Sequence, residues 1–126
     1  MTIMKAIEAC DILRPGNKYT VDQKKKWLSE LDGRIYDQVL LSHEGFENAL
    51  FLGYDENTHE GTPLLIEGAH ADIYEKWLIM QVDRYNMDVS RYNSSLAAFS
   101  AAWGEMENHI NKNHMPVQRA RITPFF

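Results

Sequence analysis

One cysteine stands in a chain of 126 residues. A lone thiol closes no internal disulfide, so the fold rests on packing and suits a reducing compartment. Cys10 falls in register with Ile3 and Ile7 and reads as a small buried apolar residue, not a nucleophile. Long apolar runs are missing as well, so no segment is expected to span a bilayer. Residues 1–13 show neither a long apolar core nor a small-residue cleavage site, and we expect no secretory signal. Positive charge is scarce: 13 Lys and Arg face 18 Asp and Glu, a formal charge of −5. A nucleic-acid binder shows a clustered basic face. The one basic run here, Lys24-Lys25-Lys26, reads as a solvated helix face, and no specific nucleic-acid binding is expected.

The common signatures of catalysis are absent too. There is no glycine-rich phosphate loop, no dinucleotide fingerprint and no Gly-x-Ser-x-Gly elbow. Ser94-Ser95 lies on a polar helix face with no base specified nearby. His43-Glu44, followed by Glu47, lacks the second histidine of a zinc-protease helix. His109 and His114 are five apart and point to different helix faces. Asp55, Asn57 and His59 alternate like the first ligands of a calcium loop, but Glu60 and Ile66 replace the required glycine and glutamate. A small metal-dependent hydrolase built on His43, Glu44, Glu47 or His59 is the weakest of the functional alternatives. The expectation is no catalytic residue, no cofactor and no metal.

What the chain does contain is helical periodicity. Ile3, Ala6, Ile7, Cys10 and Leu13 outline a first helix, which Pro15-Gly16 ends. Thr20-Val21-Asp22-Gln23 fits a capping box, and Trp27, Leu28, Leu31, Ile35 and Val39 form the inward face of a second helix. We expect this helix to pass His43 and stop at Gly45. Residues 46–68 have no helical period; a loop, or a loop carrying one short β-hairpin of 50–54 against 63–66, is the expectation. A third helix is predicted over 71–85, with Asp72 at its positive end.

Six residues then recur at helical spacing: Tyr92, Leu96, Phe99, Trp103, Met106 and Ile110. This stripe must be covered by other helices of the chain or by other chains. It reads as core first and subunit interface second. Asn86-Met87-Asp88 decides how its helix begins. A turn there makes a helical hairpin, whereas an unbroken helix makes a rod of about 60 Å. We expect the hairpin, because such a rod would project beyond a domain of this size. Met115-Pro116 stops the fourth helix, and 116–126 reads as an extended arm ending in Phe125-Phe126. The predicted fold class is therefore mainly α: a four-helix domain over 1–115 and an extended arm.

Several motifs in order resemble a family of small virion proteins of tailed bacteriophages and prophages. They begin with Trp27-Leu28-Ser29-Glu30-Leu31-Asp32-Gly33, then Gly53-Tyr54-Asp55-Glu56-Asn57 before Leu64-Leu65. Tyr74, Trp77-Leu78, Gln81-Val82-Asp83, Tyr85-Asn86 and Arg91-Tyr92-Asn93 come next. Phe99, Trp103 and Asn113-His114-Met115-Pro116 close the series. Such chains are similar to head–tail connector (adaptor) subunits. The pattern departs at Met87, where a glycine would make a clearer turn.

The resemblance implies a homo-oligomeric ring between portal and tail-completion proteins, made in the bacterial cytoplasm and retained in the virion. It implies no catalytic residues. Phe51, Tyr54, Leu64, Leu65, Arg119, Arg121, Phe125 and Phe126 are the side chains expected to meet neighbours. A helical assembly chaperone or regulatory binder, absent from the finished particle, is the alternative.

Overall fold

The structure, a computed structural model, describes residues 1–42 and 50–113. Four α-helices form the body: α1 (Ile3–Leu13), α2 (Val21–Gln38), α3 (Ile73–Tyr85) and α4 (Val89–Asn113). Residues 50–66 cross the body as an irregular strap. No paired strands occur among the described residues. Of the two alternatives for this stretch the loop is present: Pro63 makes a single antiparallel bridge with Thr2. Strap backbone groups instead pair with the chain start and with side chains. The arm, 116–126, lies outside the described residues.

Each start has a local cause. The Thr2 hydroxyl accepts from the Lys5 amide at 3.2 Å. The two α1 amides before it, Ile3 and Met4, donate to the carbonyls of Thr62 and Glu60 at 3.1 and 3.0 Å. The strap thus satisfies amides that every helix start leaves unpaired. At α2 the capping box is complete: Gln23 N donates to Thr20 Oγ1 at 3.1 Å, and Thr20 N donates to Gln23 Oε1 at 2.8 Å. The α2 helix stops at Gln38, short of the expected end, and tightens into a 3-10 turn over Leu40–Ser42. The change of backbone at Val39 accompanies burial of both Val39 and Leu40. Gly45 lies outside the described residues.

The lysine run is not the solvated face expected of it. Lys24 and Lys25 are buried, and only Lys26 is exposed. Lys24 Nζ donates to Asp11 Oδ1 at 2.6 Å, and Lys25 Nζ donates to the Thr58 carbonyl at 2.9 Å. Their aliphatic stems fill the seams from α2 to α1 and to the strap, while the ammonium ends find acceptors there.

A 3-10 turn, Gly68–Asp72, leads into α3. This helix is the centre of the body and packs on α1, α2 and α4. Ile73, Tyr74, Trp77, Leu78, Met80, Gln81, Val82 and Asp83 are all buried along it. The hairpin is present and the rod is not. Met87 takes the left-handed conformation (φ 59°), and the amides of Met87 and Asp88 donate to Arg84 O and Asp83 O at 3.0 and 3.1 Å. That pattern closes a helix with a Schellman motif. Asp88 Oδ1 then accepts from Arg91 N at 3.1 Å and caps α4.

The aromatic ladder is only partly covered. Met106 and Ile110 are buried, Tyr92, Phe99 and Trp103 are half-buried, and Leu96 is exposed. The contact stripe runs instead through Ser95, Ala102, Met106 and Ile110. Among the described residues α4 packs on α3 and the Gly68–Asp72 turn but not on α2, so one flank of its apolar face stays open.

Candidate interaction surfaces

Two buried carboxylates organise the body. Asp32, on α2, has no exposed surface. Its Oδ2 accepts from the Tyr54 hydroxyl at 2.6 Å and the Leu65 amide at 3.2 Å. Its Oδ1 accepts from the Tyr74 hydroxyl at 2.6 Å. Tyr74 in turn accepts from the Ile66 amide at 2.7 Å. Burial pushes the Asp32 carboxyl above its ordinary pKa, and the three donors only partly oppose it. Burial and the facing carboxylate push both phenols upward, so they stay protonated and donate. The knot ties the strap to α2 and α3.

Asp83, on α3, is also fully buried but has a cation. Arg14 Nε and Nη2 donate to its two oxygens at 2.8 and 2.9 Å, and Ser95 Oγ of α4 donates to Oδ2. Burial would raise this carboxyl, yet the bonds from Arg14 and Ser95 outweigh it and hold it below the usual range. This second knot joins the end of α1 to α3 and α4. Beside it Trp27 stacks on Tyr85 (5.5 Å, 6°), Tyr19 tilts against both, and Trp77 Nε1 donates to the Trp27 carbonyl at 2.7 Å.

The side chains expected to meet neighbours are placed differently from one another. Leu64 is buried in the chain's own core, and Leu65 packs half-buried against it. Tyr54 belongs to the Asp32 knot, and Phe51 meets it edge-on at 5.0 Å. These four hold the strap to the body. Arg119, Arg121, Phe125 and Phe126 lie outside the described residues.

The exposed apolar side chains are others. Ile12, Leu13, Tyr85, Met87 and Val89 lie at the end of α1 and at the α3–α4 turn, and Leu50 and Leu52 lie on the strap. Ile12 falls off the α1 core stripe and Met87 sits in the turn, so part of this was legible in the sequence. The direction of Leu50 and Leu52 was not, because a strap has no fixed period. Beside Leu13 at the bundle end lies a cleft of about 470 Å³ lined by Arg14, Asn17, Lys18, Asn86 and Arg91. A shallower groove of about 260 Å³ runs along the open flank of α4, between Arg34 and Gln38 on one side and Phe99 and Trp103 on the other.

Catalytic candidates are dispersed. The Cys10 thiol is buried, and burial pushes it up to about 11. Asp55 Oδ1 accepts from Asn57 N at 2.8 Å, and His59 Nδ1 accepts from Gly61 N at 2.9 Å, so both hold turns of the strap. His70 and His109 pack ring to ring at 4.7 Å. Among the described residues no three His, Cys, Asp or Glu side chains converge to hold a metal ion. His43, Glu44, Glu47 and His114 lie outside those residues. No described helix is long and apolar enough to cross a membrane. Comparison with protein-family models, curated proteins and solved structures finds no match to this chain.

Proposed function

We propose that this chain is a structural virion protein of a tailed phage or prophage, a head–tail connector subunit that forms a ring between portal and tail. The single observation that carries the reading is exposure. Five large apolar side chains, Ile12, Leu13, Tyr85, Met87 and Val89, gather at one end of the bundle, where a monomer would leave them in water. The order of motifs from Trp27 to Pro116 supports the connector class. Specificity then comes from complementary surfaces, and portal and tail-completion proteins are the partners above and below. The excess of acidic over basic residues suits a wall past which DNA moves, because a wall without a basic lining does not grip phosphates.

The test is assembly. Sizing of the full chain at rising concentration, alone and with portal, should reveal a ring or a portal complex. Particles lacking this protein should stall before tail attachment. Normal particles in its absence would refute the reading, and mass spectrometry of purified virions separates a connector from a chaperone that leaves.

A further inference from the structure

A cyclic ring needs one face of each subunit to fit a different face of the next. The pairing inferred for this chain rests on the connector reading and uses two faces of the subunit. The first is the bundle end. Its cleft carries Arg14 and Lys18 from the link after α1 and Arg91 from α4, and no described carboxylate lines it. Arg14 is engaged by buried Asp83, which leaves Lys18, whose ammonium lies over the Tyr19 ring, and Arg91, exposed and paired with Asp88 only at 3.6 Å. Leu13 lines the cleft at 51% exposure, and next to it Met87 and Val89, 84% and 70% exposed, line a separate smaller hollow with Arg84 and Asp88.

The second face is the outer edge of the strap. Phe51 and Tyr54 turn toward the body, which leaves Leu50 and Leu52 outward at 74% and 87% exposure. Asp55 and Glu56 follow Tyr54, both exposed, and line a hollow with Asp22 and Lys26 on α2, three carboxylates to one ammonium. Of the eight large apolar side chains exposed among the described residues, Leu96 alone belongs to neither face.

The faces are complementary and do not overlap. One is apolar and carries Lys18 and Arg91, the other is apolar and carries Asp22, Asp55 and Glu56 against Lys26. They approach α2 from different sides: Trp27 supports Tyr85 near the cleft, while Ser29 Oγ accepts from Tyr54 N of the strap at 3.0 Å. At about 100° per residue, Ser29 stands roughly 160° around the helix from Trp27. We propose that Leu50, Leu52, Asp55 and Glu56 of one copy seat against the Lys18–Arg91 cleft and the apolar side chains beside it on the next copy. The contact is heterologous and buries opposite charges beside apolar side chains.

The experiment uses the full chain with single cysteines introduced as Met87→Cys and Leu52→Cys; buried Cys10 stays out of exchange. Mixed under a mild oxidant, the two variants should cross-link to each other about tenfold more than either does to itself. In sedimentation, Lys18→Glu with Arg91→Glu should weaken self-association about tenfold at unchanged helical circular dichroism, and a Glu56→Lys partner should restore it. Cross-links confined to like variants, or charge-reversed chains that associate as the wild type does, would overturn this pairing. If rings still form in that case, the connector reading survives and only the faces are wrong. If the unmodified chain stays monomeric with and without portal, both fall.

Discussion

The Arg14 guanidinium grips Asp83 through two parallel hydrogen bonds, 2.8 and 2.9 Å, across 69 positions of sequence. One clamp therefore fixes the end of α1 to the centre of the body, and through Ser95 it reaches α4 as well.

Removing the cation should be costly. Arg14→Ala leaves Asp83 buried with Ser95 as its remaining side-chain partner, and a broken buried pair costs about 3 kcal/mol when, as here, one partner keeps some exposure. Urea unfolding measures it. A loss under about 1 kcal/mol would mean that water replaces the guanidinium freely.

The pH dependence should show two opposed contributions. Asp83 has its carboxyl held low, so it adds stability above the unfolded pKa and loses it as pH falls through the folded value. Asp32 is held high, so its contribution is fully present below the unfolded pKa and is lost as pH rises through the folded value. Unfolding profiles from acid to neutral pH should show that Asp83→Asn flattens the acid limb. The advantage of wild type over Asp32→Asn should shrink with rising pH. A parallel pair of profiles would contradict the assignment.

Tyr74→Phe should cost more than Tyr54→Phe. Tyr74 donates to Asp32 and accepts from Ile66 N, so its loss removes a bond to a charged acceptor and strands an amide; about 2–3 kcal/mol is expected. Tyr54 is half-buried and its loss strands no amide, which puts it at about 1–2 kcal/mol. Hydrogen exchange adds a local reading: the Leu65 and Ile66 amides should lose protection first in Tyr74→Phe.

Met87→Gly should stabilise the monomer. A left-handed non-glycine residue carries roughly 1–2 kcal/mol of strain, and the Met87 side chain is exposed, so little packing is lost. A gain near about 1 kcal/mol in thermal unfolding is expected. Self-association should weaken at the same time, because the bundle end loses an apolar side chain.

The helices are legible in sequence because their causes are local. The α1 stripe, the Thr20–Gln23 box and the Asn86–Asp88 break act within a few residues, and the structure keeps them, except that Leu13 at the end of the stripe is exposed. The lysine run misleads because a helical wheel does not say which neighbour arrives. Asp11 and Thr58 come from other segments and turn Lys24 and Lys25 inward. The hairpin alternative over 50–54 and 63–66 is absent for the same reason: the partner of Pro63 is Thr2, at the far end of the sequence from any local turn. Asp32 and Asp83 look like ordinary polar positions, since nothing in their flanks announces an acceptor wholly enclosed by groups from elsewhere.

By itself, then, the order of residues determined a small helical protein, its capping and its reversal at Met87, because hydrophobic period and backbone preference are short-range properties. Only the tertiary structure decided which carboxylates are enclosed, which lysines are used inside, and which apolar side chains remain in water. Those outcomes depend on segments tens of residues apart meeting in space, and no local pattern encodes that meeting.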